Sequence, residues 1–230
     1  FNSNSTQTWV TESSLSLIGY NINCTSIKLS NYKNTVLVLW SINDQLKIMG
    51  GLLPKTYNLA HFHFHWGSDS SRGSEHTING KAYPLEMHFL HYKESYSSFE
   101  EAQKFKDGLA VLAVLFKVTP HNNTALDFIT NSLENLKQPY SEVVSHHKMP
   151  LLNILPKNLN SFYRYYGSLT TPNCDQAMWT VFTDTVAISE QQLSMFRKLI
   201  DDHGNYLQNN FRPTQPANGR KVYLVNIQMP

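Results

Sequence analysis

Hydrophobic and polar positions alternate most regularly at residues 61–66, where three histidines are interleaved with Phe62, Phe64 and Trp66. Side chains of an extended strand point alternately to opposite faces. The pattern therefore predicts a strand with one imidazole face and one aromatic face. The aromatic face can pack in a core. Three like imidazoles on the other face favour a metal site over a cluster that serves packing alone.

One ion cannot bind all three imidazoles of this strand. His61 and His65 would stand roughly 13 Å apart at a rise of about 3.3 Å per residue. Zinc, by contrast, holds nitrogen ligands at about 2.0–2.1 Å. Two adjacent histidines can share an ion, and a third ligand must then come from a neighbouring strand. The next extended segment offers His88, with Glu86 on the same face.

Short β-prone segments dominate the rest of the chain. The clearest are residues 35–40 and 45–48, with a hairpin turn expected between them at 43–44. Residues 108–118, rich in Val and Leu and interrupted only by Lys117, are typical of a strand buried on both faces. A further strand is predicted at 179–186.

Helices are predicted at only a few places. Residues 98–105 and 123–136 have helical features, and a capping box at Ser189 predicts a helix that continues through Ile200. Because no alternation of strands and helices is present, residues 1–230 are expected to form one mainly β (α+β) domain. Its centre would be a large, twisted, mostly antiparallel sheet with a few short peripheral helices. The Asn/Ser/Thr-rich residues 1–14 are expected to form an irregular lead.

Composition narrows the function classes. The chain has 230 residues, 41% apolar and 16% charged, which is enough for one sizeable core. A net charge of +2 without a basic run argues against nucleic acid as a partner. The longest apolar run, residues 109–116, is far shorter than the roughly 18 residues that cross a membrane. No transmembrane segment is expected in this chain.

The cysteines and glycosylation sequons bear on the cellular compartment. Cys24 and Cys174 are compatible with one disulfide or with two unrelated buried thiols. Asn-X-Ser/Thr sequons begin at Asn4, Asn23 and Asn122. Together these features favour a secreted glycoprotein.

Six short motifs, spread in order over about residues 15–225, resemble those of the α-carbonic anhydrases. They are FHFHWG at 62–67, GSEHT at 73–77, EMH at 86–88, GLAVL at 108–112, GSLTTP at 167–172 and RPTQP at 212–216. The resemblance implies the α-carbonic anhydrase fold. It also implies a zinc-dependent enzyme that reversibly hydrates carbon dioxide to bicarbonate and a proton through a zinc-bound hydroxide.

The resemblance assigns roles to individual residues. His63, His65 and His88 would ligate Zn²⁺, and the fourth coordination position would be left to water. Glu75 would accept the hydroxyl proton of Thr170, which would in turn aim the attacking hydroxide.

Residues around these ligands receive roles in the same way. Glu86 would orient His88, and His61 would support the first ligand where many family members have glutamine. The apolar wall beside the metal would be formed by Leu90, Val111, Leu169, Thr171 and Trp179. Sulfonamide-type inhibitors are expected to bind.

Besides His61, two features depart from the family pattern. Lys33 corresponds to the usual proton-shuttle histidine, and an unperturbed lysine, with a pKa near 10.4, is a poor proton acceptor at pH 7. Weakened proton shuttling is therefore expected. Secreted members often pair an early cysteine with one after the Thr-Thr-Pro motif. The resemblance therefore predicts a Cys24–Cys174 bridge, although Cys24 lies further along the chain than expected.

The alternative function is a catalytically silent carbonic-anhydrase-like binding domain.

Overall fold

A computed structural model of the protein describes residues 1–2 and 6–228. Over these residues the strands are β1 (Gln7–Thr11), β2 (Leu15–Ile18), β3 (Ser26–Tyr32), β4 (Thr35–Ser41), β5 (Lys47–Gly50), β6 (Tyr57–Trp66), β7 (Leu85–Lys93), β8 (Leu109–Thr119), β9 (Glu142–Ser145), β10 (Ser161–Ser168), β11 (Gln176–Phe182), β12 (Val186–Ser189) and β13 (Val222–Ile227). The α-helices are α1 (Phe99–Ala102), α2 (Asp127–Ser132) and α3 (Glu190–Phe196). Short 3₁₀ turns occupy Thr124–Leu126, Leu133–Leu136 and Leu151–Ile154.

All strands join one sheet, whose main path runs β1-β13-β10-β11-β8-β7-β6-β4-β3-β9. The β5 strand pairs with β2 and β6, and β12 pairs with β8. Most neighbours are antiparallel, while β1 with β13 and β8 with both β11 and β12 are parallel. The predicted fold class, a mainly β domain with a few short helices, is confirmed. Most of the strand pairs described here are antiparallel, within a sheet that is mixed.

The aromatic face of β6 explains why this strand lies deep in the sheet. Phe62, Phe64 and Trp66 are each fully buried in the larger hydrophobic core. Burying one large apolar side chain stabilises a fold by roughly 1.5–3 kcal/mol. These three side chains therefore fix the register of β6, and that register directs the histidines to the other face. The β8 strand, on the far side of β7, is buried from Leu109 to Phe116, as its apolar run predicts.

The helix start signals are confirmed, and one helix end is not. Ser98 and Ser189 cap α1 and α3, and Ser189 forms a complete capping box with Gln192. The regular part of α3 ends at Phe196 instead of Ile200. Residues 123–136 alternate 3₁₀ and α geometry, with the Asn123 side chain as cap.

Three predicted elements differ from the structure. The β4 and β5 strands do not pair as a hairpin, because both pair with successive parts of β6. Residues 1–14 are not irregular throughout, since β1 forms a parallel pair with β13. The strand predicted at 179–186 is divided into β11 and β12. Each difference arises from a partner distant in sequence, which a local pattern does not reveal.

The predicted Cys24–Cys174 disulfide is absent, and both cysteines are free thiols. Cys24 is buried, and its Sγ donates to His147 O at 3.0 Å. Cys174 lies just before β11, and Cys24 lies just before β3. In the order of the sheet, β11 and β3 are five strand spacings apart. At about 4.8 Å per strand this separation is roughly 24 Å. A disulfide needs Cα atoms within about 7 Å, so the bridge prediction is wrong for this structure.

Candidate metal centre

The register of β6 and β7 brings three imidazoles together. His63 lies directly opposite His88, and His65 lies opposite Glu86. Nε2 of His65 is 3.1 Å from Nε2 of His63 and 3.1 Å from Nδ1 of His88. One ring nitrogen from each histidine therefore lies within 4.8 Å of the other two. These distances allow the three nitrogens to surround one small cation.

Asn210, in the long segment between α3 and β13, fixes the ring of His65. Nδ1 of His65 donates to Asn210 O at 2.8 Å, which leaves the Nε2 lone pair free for a cation. The Asn210 side chain accepts from Trp66 N at 2.7 Å and donates to Phe64 O at 3.1 Å. The same amide also donates to Asn34 O at 2.8 Å. Asn210 thus fixes the ligand-bearing end of β6 against the β3–β4 turn.

The buried carboxylate of Glu86 holds His88 in the same way. Oε1 of Glu86 accepts from Nε2 of His88 at 2.6 Å and from Nδ1 of His76 at 2.5 Å. Oε2 accepts from the backbone N–H groups of Glu75 and His76, each at 2.8 Å. Burial alone would raise the pKa of Glu86, but His76, His88 and these hydrogen bonds hold it well below its ordinary value. His88 consequently presents Nδ1 to the centre.

His76, Glu86 and His88 form a second group whose polar atoms lie within 4.8 Å of one another. Four N–H donors already occupy the carboxylate of this group. A cation there would have to displace them. We therefore interpret this group as the hydrogen-bond support of His88.

The protonation state of the three-imidazole group suits a divalent metal ion. Burial lowers the pKa of His63 well below its ordinary value and also lowers the pKa of His65. Neutral imidazole is the form that binds metal. Two of the three rings also have their far nitrogen fixed by an acceptor, a common arrangement around histidine ligands. Three nitrogen donors suit zinc, with one position left open.

Gly73 lets the loop that carries Glu75 approach β7. A Cβ atom at Gly73 would lie 2.1 Å from Pro84 O, so only glycine fits there. Ser74 N then donates to Tyr83 O at 2.8 Å, which fixes the loop against the start of β7. This close approach carries Glu75 to the histidines, and its Oε1 is 3.5 Å from Nδ1 of His65.

Glu75 and Thr170 line the same cavity of about 600 Å³ but are not hydrogen-bonded to each other. Oε1 of Glu75 accepts from Arg212 N at 2.7 Å. Oε2 of Glu75 is buried and has no hydrogen-bond partner among the described residues. The hydroxyl–carboxylate contact implied by the family resemblance is therefore not formed here, although an acceptor remains available for it.

The expected apolar wall lies on the imidazole side of the sheet. Leu90 and Val111 are paired across β7 and β8 and belong, with Trp179, to the smaller of the two hydrophobic clusters. The Trp179 ring meets the His88 ring edge-on at 4.8 Å between centroids. Leu169 packs against this cluster, whereas Thr171 is exposed. None of these five residues lines the cavity that contains Glu75 and Thr170.

His61 adjoins the candidate centre, and Lys33 lies on the β3–β4 turn. The His61 ring is 5.8 Å from the His63 ring and 5.5 Å from the Phe99 ring, and burial lowers its pKa to about 4. A bulge between Leu59 and His61 interrupts the pairing of β6 with β7, and His61 lies on the same side of this bulge as His63 and His65. Lys33 is exposed in the β3–β4 turn with a positive φ of 56°, and its Nζ lies 5.3 Å from the Tyr32 ring centre.

Sequence reasoning gave no role to His76, Tyr165 or Asn210. His76 donates to Glu86, and its Nε2 is 2.7 Å from the Tyr165 hydroxyl. His76 adjoins Glu75 in a motif, which was the available signal. Tyr165 and Asn210 lie far along the chain from the residues they support, and no periodic pattern marks them.

Two of the three sequon asparagines can be placed. Asn23 and Asn122 are exposed, and Asn122 accepts a hydrogen bond from the Ser189 hydroxyl. Asn4 lies outside the described residues. No helix in the described part of the chain has the length and apolar content needed to cross a membrane.

Comparison with known proteins gives a consistent relationship. The chain is 40% identical to carbonic anhydrase 15 of Mus musculus over 180 residues, which cover 75% of this chain and 56% of that relative. It is 37% identical to carbonic anhydrase 6 of Bos taurus over 213 residues, covering 90% and 66%. Human carbonic anhydrase 3 matches at 33% over 203 residues, covering 84% and 75%. The chain thus spans between about half and two thirds of the first two relatives.

The match to a family model extends over nearly the whole sequence, from residue 2 to residue 226. This range includes β6, β7 and the loops that hold Glu75 and Asn210. The imidazole cluster, its carboxylate support and nearly all of the mixed sheet lie within it. By sequence and by fold, this chain belongs to the eukaryotic-type carbonic anhydrase family.

Proposed function

We propose that this protein is a zinc-dependent carbonic anhydrase that reversibly hydrates carbon dioxide to bicarbonate and a proton. His63, His65 and His88 would hold the zinc ion. The observation that carries the proposal is the convergence of three imidazole nitrogens from two paired strands. Family membership supports the reaction class, because the relatives are named carbonic anhydrases.

A zinc ion held by three protein ligands would acidify water at its open position, to a pKa near 7 in carbonic anhydrases as a class. The chain's own residues would prepare this site. Glu86 and Asn210 O fix the tautomers of His88 and His65, so that free lone pairs face the centre. The buried Oε2 of Glu75 is an unused acceptor that can hold the Thr170 hydroxyl proton. Thr170 would then accept from, and orient, the attacking oxygen.

The apolar side of the centre suits an uncharged substrate. Leu90, Val111 and Trp179 are buried beside His88. Carbon dioxide can lie against such an apolar surface without a hydrogen-bond donor, whereas a water molecule there loses hydrogen-bond partners. We propose that these residues, with Leu169 and Thr171 nearer the surface, form the substrate wall.

We propose that the proton released by hydration leaves the site slowly. Lys33 is in the position that the family resemblance assigns to the shuttle histidine, and it is exposed on a turn. Lysine is a poor acceptor at neutral pH. External buffer should therefore accelerate turnover, and a hydration rate that is already fast and does not respond to an imidazole buffer would contradict this part of the proposal.

The direct test is zinc content together with carbon dioxide hydration by the purified protein. We expect one zinc per chain and a stopped-flow hydration rate above the buffer rate, which a sulfonamide abolishes. Bound zinc without hydration would support the silent binding domain instead. A chain that binds no zinc would refute the metal centre altogether.

We further propose that the protein is secreted and glycosylated. The exposure of Asn23 and Asn122 supports this, because a glycan must be accessible on the surface. Protein expressed through a secretory pathway should lose mass on treatment with an N-glycosidase. Substituting Asn23→Gln and Asn122→Gln should remove the corresponding part of that shift.

A further inference from the structure

A second cavity, of about 510 Å³, lies beside β10 and β13. It shares Tyr165 and Arg220 with the cavity that contains Glu75 and Thr170, but none of His63, His65 and His88 lines it. Its lining combines apolar and aromatic side chains with three cationic residues, Arg164, Arg220 and Lys221. No acidic residue is among those that line it. A volume of this size is typical of sites for small organic ligands. The sign of its charge indicates an anionic one.

Arg164 is the feature that calls for a ligand. The residue is 4% exposed, and its Nη2 donates to Gly51 O at 2.7 Å. Nε and Nη1 are buried and have no hydrogen-bond partner in the described chain. No described carboxylate lies within salt-bridge distance of this guanidinium. A buried charge without a counter-ion is costly, and such charges are normally paired.

The charge of Arg164 persists at neutral pH. Burial lowers its pKa to about 9, so the guanidinium remains mostly protonated at pH 7. A cation beneath a low-dielectric wall projects positive potential into the cavity next to it. Arg220 and Lys221, both exposed, add to this potential at the rim. A carboxylate entering the cavity would supply the missing counter-charge.

The walls define the rest of the ligand. Trp9 is 46% exposed and meets Tyr223 edge-on at 5.4 Å, so the two rings form an open aromatic surface. Leu52 and Met178 add apolar surface to the same cavity. A purely inorganic anion would leave these walls in contact with water.

We propose that this cavity is a binding site for an organic carboxylate with an aromatic or aliphatic body. Its carboxylate lies toward Arg164, Arg220 and Lys221, and its body packs against Trp9 and Tyr223. Binding here does not require the zinc centre, so the proposal stands or falls separately from the proposed reaction.

Titration calorimetry with benzoate tests the site, and benzamide is the neutral control of the same shape. We expect saturable benzoate binding, with benzamide at least about tenfold weaker because it lacks the charge. Equal affinity for the two compounds, or no saturable benzoate binding, would overturn the proposal.

Variants locate the binding. Arg164→Met removes the charge while keeping apolar volume, and it should weaken benzoate at least about tenfold. His88→Ala should leave benzoate affinity unchanged. Binding lost in His88→Ala but kept in Arg164→Met would place benzoate at the imidazole centre and overturn the proposal.

If Arg164→Met does not fold, substitution of the exposed Lys221 by Gln tests the same site with a smaller expected change in benzoate affinity. This variant should weaken benzoate by about two- to threefold without changing thermal stability. Unchanged benzoate affinity in Lys221→Gln would count against the cavity.

Discussion

The centre of the sheet and its outer turns hold their functional side chains in different ways. At the centre, Glu86 accepts hydrogen bonds from four N–H groups. Asn210 fixes the ring of His65 and the end of β6. At the β3–β4 turn, Lys33 is exposed, and its Nζ lies over the Tyr32 ring. The centre is preorganised by contacts that leave its side chains little freedom. Changes there should affect metal binding and stability together, whereas changes at the turns should affect turnover alone or nothing.

The largest effect is expected from His88→Ala. This substitution removes one of the three nitrogens and leaves Glu86 without one of its donors. Zinc content should fall close to zero, and hydration should fall to the buffer rate. Elemental analysis of the purified variant measures the first quantity, with His203→Ala, on an exposed loop, as the matched control. Normal zinc content in His88→Ala would contradict the proposed ligand set.

Acid should destabilise the fold through a buried imidazole outside the group of His63, His65 and His88. His91 on β7 is fully buried, its Nε2 lies 2.5 Å from the Tyr20 hydroxyl, and burial lowers its pKa to about 3. The unfolded chain takes up this proton near pH 6.5, so the free energy of unfolding is highest above that pH. It should fall by about 1.4 kcal/mol per pH unit for this group as pH drops from 6.5 toward 3.

Urea unfolding at several pH values measures this slope. His91→Gln should flatten it, because the variant lacks the titrating group. A slope between pH 6 and pH 4 that is identical in the wild type and His91→Gln would show that His91 is not responsible.

A more moderate effect is expected from Glu86→Gln. The amide keeps the shape of the carboxylate but presents a donor where the carboxylate only accepts, so at least one buried N–H group loses its partner. Zinc affinity should fall by roughly 10–100-fold, the usual range for residues that orient a metal ligand. Competition with a zinc chelator measures it. Glu142→Gln, on an exposed edge strand, is the control.

The turn should respond through turnover alone. Lys33→His places an acceptor with a pKa near 6.5 at this position. Histidine also tolerates the positive φ of this residue better than most side chains. Hydration in weak buffer should rise several-fold while zinc content stays the same. No change in rate would indicate that another position serves as the shuttle.

The smallest effect is expected from reducing agent. Because Cys24 and Cys174 are free, dithiothreitol should leave the melting temperature unchanged. A thiol titration in denaturant should find both sulfhydryls. If no thiol reacts before reduction and the melting temperature falls clearly on reduction, Cys24 and Cys174 form a disulfide after all.

The sequence predicts the centre better than the periphery because the two are specified differently. The alternation at 61–66 is local, and its aromatic members are buried by any arrangement that forms a core. The run in β8 and the capping box at Ser189 are local as well, and both are confirmed. A bulge, a parallel partner for β1 or the separation of Cys24 from Cys174 depends on how distant strands are ordered in the sheet.

The candidate site divides along the same line. The convergence of His63, His65 and His88 follows from strand geometry plus family resemblance. The support from Asn210 and Tyr165 depends on loops and strands more than 70 residues away from the side chains they hold, so no spacing rule reveals it. Arg164 gives no sequence signal either, because its lack of a partner is visible only once the sheet is formed.

A zinc-bound crystal structure with anomalous scattering at the zinc edge tests the central claim most directly. We expect one anomalous peak, from a zinc ion bound by Nε2 of His63, Nε2 of His65 and Nδ1 of His88, with a non-protein fourth ligand. A peak held instead by His76, Glu86 and His88, or no peak between β6 and β7, would contradict it.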